Sequence, residues 1–197
     1  MISIAVDAMG GDHAPQKIVQ GAVLASKANP VRILLVGDEY AIKDELKHHE
    51  YPSDSLKIIH TPDSILMDES PKKAVVNKPN ASIFIAASLV SKGDANALVS
   101  AGSTGSVVLS AAKKLSKIPG IKRTAIATVY PTLNEFKHDD HLALMVDVGA
   151  NVKSSAMELV QFAIMGSSYV ANVRGVVSPK AALLNIGEEE TKGSEKM

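Results

Sequence analysis

The chain of 197 residues has no cysteine and no tryptophan. The first absence excludes disulfides, thiolate metal sites and a cysteine nucleophile in this chain, and it fits a reducing compartment. The second, with aromatic residues at 4%, leaves a core to be built from Ala, Val, Ile and Leu. Net charge is missing as well. Twenty-one Lys and Arg balance 21 Asp and Glu, so nothing draws the whole chain toward nucleic acid or an anionic membrane, and any anion site has to be local. No apolar run approaches the ~18 residues of a membrane span, and the N-terminus lacks a basic stretch followed by an apolar one. The reading is a soluble, cytoplasmic protein. His48-His49 and His138/His141 lie in polar segments without metal-ligand spacing, so no metal and no cofactor are expected. Neither a Gly-x-Gly-x-x-Gly fingerprint nor a Gly-Lys-Ser/Thr loop occurs, which argues against a nucleotide-dependent dehydrogenase or a P-loop.

What is present is an alternation of short apolar runs and helical spacings. Ile2 to Val6 reads as a buried strand, Gln16 to Ala28 as a helix stopped by Asn29-Pro30, Val31 to Gly37 as a second strand, Asp38 as a helix start, and Leu56 to His60 as a third strand. This rhythm predicts a parallel sheet with helices on its faces. Residues 61–80, with Pro62, Pro71 and Pro79, break it and read as a long surface excursion with one helical turn from Pro71. The pattern then resumes: helix Ala81 to Ser91, strand Ala95 to Ser100, helix Val107 to Leu115, strands Thr124 to Tyr130 and His141 to Asp147 joined by an exposed connection 134–140, helix Ala156 to Val173, and strand Lys180 to Ile186. No repeat or linker interrupts it. The expectation is a single three-layer αβα domain over 1–197 with a largely parallel sheet, and the polar end at Met197 reads as truncated.

Four strand ends carry polar, glycine-rich turns, and open α/β sheets bind ligands at such ends. Asp7, Gly10, Gly11, Asp12 and His13 follow the first strand. A histidine beside a carboxylate could shuttle a proton, while Asp12 as a plain helix cap remains equally open. Ser100 to Ser106 offers small residues (Gly102, Gly105) and hydroxyls (Ser103, Thr104, Ser106) that could cradle a phosphate. The alternative is a helix start capped by Ser103 or Thr104. Asp147, Gly149 and Asn151 repeat the arrangement, with Asn185, Gly187 and Glu188 one strand later; each Asn could donate to an oxyanion, and each motif is also a good turn. Arg123 could hold a phosphate bidentately or be a solvated surface charge.

The runs AVDAMGGDHAP (5–15), SAGSTGS (100–106), IKRTAIA (121–127), DVGANV (147–152), QFAIMGS (161–167), RGVVSP (174–179) and LLNIGEEETKG (183–193) occur in the order of the bacterial PlsX family, the phosphate acyltransferases, and the chain resembles its N-terminal part. It departs from the family pattern at Ser103, where the family has Asn, and at Thr124, where it has Pro. The resemblance implies a fold like that of isocitrate and isopropylmalate dehydrogenases and of phosphotransacetylase, with a second lobe incomplete here. It implies a transferase acting in fatty acid and phospholipid biosynthesis, which makes acyl phosphate from acyl-[acyl-carrier protein] and inorganic phosphate. The 102–106 turn and Arg123 would then bind phosphate, Asn151 or Asn185 would meet the oxyanion, and His13 with Asp12 would handle protons. The family also implies a homodimer, a location beside the membrane, and a membrane glycerol-3-phosphate acyltransferase as partner. Two alternatives stay open: a phosphotransacetylase-like enzyme using acyl-CoA, and a non-catalytic fragment of the same fold.

Overall fold

The computed structural model describes residues 1–133 and 141–184, which fall into two compact units, 1–116 and 117–197. Each unit is described by itself.

The first unit contains β1 (Ile2–Asp7), α1 (Gln16–Ala28), β2 (Val31–Gly37), α2 (Glu39–Leu46), β3 (Leu56–His60), α3 (Pro71–Asn77), α4 (Ser82–Lys92), β4 (Ala97–Val99) and α5 (Thr104–Lys114). Its four strands are all parallel in the order β3-β2-β1-β4. Central strands covered on both faces have to be apolar at consecutive positions, as Ile33 to Val36 are. Alternate residues then serve two cores. Val6, Ile33 and Leu35 pack with Val19, Val23, Ile42 and Leu46 of α1 and α2. Ala5, Leu34 and Val36 pack with Ala86 of α4 and Ala95 on the other face. That is a three-layer αβα arrangement. A third cluster joins Ile65 and Ala74 of the excursion to Ile83 and Phe84 of α4. Each fully buried aliphatic or aromatic side chain contributes about 1.5–3 kcal/mol.

Local chemistry sets the element ends. The Asp38 side chain accepts from Ala41 N at 2.8 Å and caps α2, Pro71 occupies the first turn of α3, and Gly93 takes a left-handed conformation (φ 79°) to end α4. The excursion holds a full helix where one turn was expected. Helix α5 begins at Thr104, three residues earlier than its apolar periodicity indicated.

The second unit has β5 (Ala127–Pro131) paired antiparallel with β6 (Leu142–Val146), and α6 (Ala156–Arg174) packed on β6. A parallel continuation was the expectation; here the two strands are neighbours in a separate two-stranded sheet. Helix α6 starts in a capping box, with Ser155 and Glu158 bonding reciprocally, and ends at left-handed Gly175. Gly166 lets α6 approach β6, since a Cβ there would lie 3.0 Å from Val146 Cγ2. The strand expected over 180–186 is not formed at 180–184, and its remainder, like the connection 134–140, lies outside the described residues. Among the described residues no helix is long and apolar enough to cross a membrane, and no cluster of His, Cys, Asp and Glu could hold a metal ion.

Candidate anion-binding site

The chain runs β1, β2, β3 outward to one side and returns to place β4 on the free side of β1. The strand order therefore reverses between β1 and β4, which is where open α/β sheets form a crevice beyond the strands' C-terminal ends. Asp7 closes β1 and Ser100 follows β4, so both turns singled out in the sequence arrive at this point.

Asp7 is 2% exposed. Its Oδ2 accepts the Ser100 hydroxyl at 2.8 Å, and that same Ser100 Oγ accepts Gly102 N–H at 3.0 Å. Its Oδ1 accepts the Ser82 hydroxyl at 2.6 Å. The two turns meet through glycines: a Cβ on Gly10 would lie 2.4 Å from Asp7 Oδ2, and one on Gly102 would lie 3.4 Å from Gly10 Cα. Gly11 takes φ 112° against the Ala101 carbonyl, a conformation that suits glycine. Asp7 was expected to bind substrate. Buried and engaged by two hydroxyls, it instead pins the Ser100–Gly102 turn.

The turn leads into α5. Ser103 is the N-cap residue, yet its side chain makes no capping bond, so the capping alternative is not realised and the first amides of α5 receive no side-chain acceptor. Gly105 fits closely against Pro71, whose Cγ would be 2.8 Å from an added Cβ. Thr104 is exposed. Ser106, on the first turn, is 3% exposed, and its hydroxyl has no hydrogen-bond partner among the described residues. Such an orphan is uncommon, because a buried hydroxyl without a partner costs about 1–3 kcal/mol.

Asp12 and His13 stand apart from this network. Both are exposed, neither side chain makes a hydrogen bond or ion pair among the described residues, and α1 begins at Gln16 with Pro15 as its N-cap, so Asp12 does not cap it.

In the second unit, Arg123 and the 147–155 loop form their own network. Arg123 Nε pairs with Glu158 Oε1 at 3.1 Å, and its Nη1 donates to Asn151 Oδ1 (3.4 Å) and the Lys153 carbonyl (3.2 Å). The Nη2 edge is left without a bond among the described residues. Asn151 Nδ2 donates to the Thr124 carbonyl and to Asp147 Oδ1, each at 3.0 Å. Both of its amide hydrogens are thereby committed, so Asn151 as placed orients Arg123 and is not an open oxyanion donor. Asp147 holds φ 70°, a left-handed conformation that Asp tolerates, with Asn151 N–H donating to its Oδ1 at 3.2 Å. Gly149, at φ 122°, completes the turn. Asn185, Gly187 and Glu188 lie outside the described residues.

The Ser155 amide and hydroxyl beside Glu158, aided by Arg123, hold its carboxyl below the usual carboxylate range. A carboxyl whose pKa is lower folded than unfolded stabilises above its unfolded pKa and loses that contribution as pH falls through its folded pKa. In an acid titration followed by circular dichroism, Glu158→Gln should therefore lose stability at neutral pH and show a shallower acid limb than wild type. An acid limb identical to wild type would remove Glu158 from that account.

A four-stranded parallel sheet covered by helices on both faces, with glycine-seamed turns at its switch point, defines the class, a three-layer α/β fold shared with phosphotransacetylases. A phosphotransacetylase from Streptococcus pyogenes superposes with a TM-score of 0.65 at 17% identity, covering 89% of this chain and 55% of that one. EutD phosphotransacetylase from Staphylococcus aureus gives 0.59 at 20% identity, covering 86% and 52%. At such identities the likeness is one of fold. Residues 2–197 match the family described as "Fatty acid synthesis protein", and the chain belongs to that family. Phosphate acyltransferase from Heliobacterium modesticaldum is 50% identical over 193 residues, 98% of this chain and 56% of that protein. Phosphate acyltransferase from Desulfitobacterium hafniense strain Y51 is 46% identical over 195 residues, 99% and 56%. The resemblance to the PlsX phosphate acyltransferases is thus borne out, and the chain spans about 56% of the length of these relatives.

Proposed function

We propose that this chain carries the phosphate-binding part of a phosphate acyltransferase. In that reaction an oxygen of inorganic phosphate attacks the thioester carbonyl of acyl-[acyl-carrier protein] and the C–S bond breaks. Acyl phosphate forms, and the carrier leaves as a thiol once a proton reaches sulfur. The observation that carries the reading is the uncapped start of α5 at the switch point, with the buried, unpartnered Ser106 hydroxyl on its first turn. Several amides, the helix dipole and a hydroxyl then have an anion to serve. In the second unit, Arg123 with its Nη2 edge open is assigned to anion binding, with Asn151 and Asp147 as its positioning groups. The relatives' name, phosphate acyltransferase, supports the same chemistry.

The finer assignments belong to this proposal: acyl-carrier protein as acyl donor, Asn185 at the oxyanion, a homodimer, a cytoplasmic location beside the membrane, and a membrane glycerol-3-phosphate acyltransferase consuming the product. The test is phosphate-dependent release of free thiol from palmitoyl-acyl-carrier protein, run on the 197-residue chain and on natural full-length protein, with palmitoyl-CoA in parallel. Release from the carrier-bound substrate supports the reading. Release from CoA alone moves it to a phosphotransacetylase-like enzyme, and release only in the longer protein makes the 197 residues insufficient for turnover. His13, which is exposed, is proposed as the proton donor to the departing thiolate, so His13→Ala should lower kcat by ~10²-fold with phosphate KM little changed. Full turnover in that variant would remove His13, and Asp12 with it, from the chemistry.

A further inference from the structure

A buried carboxylate needs partners, and Asp7 has no Lys, Arg or His ion pair among the described residues. Two hydroxyls serve it. Ser100 comes from the strand next door, but Ser82 comes from the far end of the excursion, 75 residues along the chain. Ser82 is 1% exposed and opens α4.

The excursion fixes where that hydroxyl stands. Thr61 Oγ1 donates to the Asn80 carbonyl at 2.6 Å, and Ser82 N–H donates to the Asp63 carbonyl at 2.9 Å, so the two ends of the segment are stapled beside Ser82. Within it, Lys78 Nζ bonds Glu69 Oε1 at 2.5 Å and the Ser64 carbonyl at 2.9 Å. Glu69, held by Lys78 and the Leu66 amide, is kept below the usual carboxylate range. The same segment reaches the site a second time through Pro71, packed on Gly105. A stretch that reads from sequence as a loose surface loop is therefore tied down at both points where it meets the switch-point turns.

We propose that Ser82 is a positioning residue of the anion site, and that residues 61–81 are the scaffold that sets it. The inference rests on the phosphate reading above. Its path is a chain of hydrogen bonds: Ser82 holds Asp7 Oδ1, Asp7 Oδ2 holds the Ser100 hydroxyl, and Ser100 Oγ holds the Gly102 amide at the mouth of α5. Without the Ser82 hydroxyl the carboxylate lacks one of its two donors and is free to turn. Ser100 then loses its fixed acceptor, and the turn that presents the α5 amides loosens.

The test uses the full-length protein, titrating inorganic phosphate by calorimetry and measuring thiol release from palmitoyl-acyl-carrier protein. Ser82→Ala should weaken phosphate binding and raise phosphate KM by ~10-fold or more, while the thioester KM and kcat at saturating phosphate change far less. Asp7→Asn should act in the same direction, and adding Ser82→Ala to it should shift phosphate affinity by less than ~2-fold, because the hydroxyl works only through the carboxylate. Wild-type phosphate affinity in Ser82→Ala, or effects that multiply in the double variant, overturns the proposal. Phosphate binding without thiol release in wild type sinks the acyl-transfer reading alone, and the binding cycle still decides Ser82. Absence of phosphate binding in wild type overturns both. Should Ser82→Ala fail to fold, Ser82→Cys, close in volume and a weak donor, takes its place with the same expected and overturning results.

Discussion

Replacing Gly10 by alanine is expected to lower phosphate-dependent turnover by ~100-fold or more and to lower the melting temperature of the protein by about 2–12 °C. The new methyl would sit 2.4 Å from Asp7 Oδ2, 2.9 Å from Ser100 Oγ and 3.0 Å from Asp7 Cγ. Distances that short force something to move, and neither neighbour is a loose chain end. Asp7 is held by two hydroxyls and Ser100 by Asp7 and Gly102. Relief comes only by pushing the carboxylate off its donors, so the overpacking cost of about 1–3 kcal/mol comes with a broken turn. Gly21 supplies the control. It lies in α1 with nothing within 4 Å of an added Cβ, so Gly21→Ala should leave turnover alone and stabilise by about 0.4–1 kcal/mol. Thermal melts and thiol-release rates on both variants check the pair. A Gly10→Ala protein with wild-type melting and rate would mean that the Asp7 network is not rigid.

Arg123→Ala should cost ~10²-fold in kcat/KM for phosphate while moving the melting temperature little. The reasoning rests on which effect is larger. The pair with Glu158 is half exposed on the arginine side, and surface ion pairs contribute little to folding. An arginine aimed at a phosphate, by contrast, gives charge-assisted bonds worth about 1.5–3 kcal/mol each. Arg123→Lys should recover only a minor part, since an ammonium cannot span Glu158, Asn151 and Lys153 while offering a further edge. Melting and phosphate saturation curves separate the roles. A large loss of stability with unchanged phosphate KM would make Arg123 a purely structural brace of the 147–155 loop.

Where structure follows from short-range pattern, the sequence was readable. Consecutive apolar runs placed β1, β2 and β3, and the Asp38 cap and Gly93 stop are local chemistry at helix ends. The start of α5 was placed late because Gly105 and Ser106 have poor helix propensity, while their position over Pro71 and inside the core holds them helical. The pairing of β5 with β6 hinges on which strand becomes a neighbour, and the residues themselves do not encode that. The turns at 7–11 and 100–106 stood out in the sequence because glycines and hydroxyls cluster there, and the structure joins them through Asp7, Ser100, Gly10 and Gly102. Ser82 was not. It reads as an ordinary residue at the head of an apolar helix, and its importance comes from a partner 75 positions away that only the β1–β4 switch brings close. Asn151 failed in the opposite way, since its residue type promises a free donor and its surroundings use both hydrogens.

The seam between Gly10 and Gly102 constrains how the protein can change over generations. A side chain at position 10 requires that Asp7 and Ser100 move first, and one at 102 would press on the Ser100 hydroxyl at 3.1 Å. A change at position 10 then calls for an accompanying change at 7 or 100. Positions 7, 10, 100 and 102 are therefore expected to vary as one block, while the exposed face of α1 a few residues away is expected to drift. Combinatorial libraries that vary the four positions together, and not scans of one site at a time, are the way to find other sequences that solve the same turn.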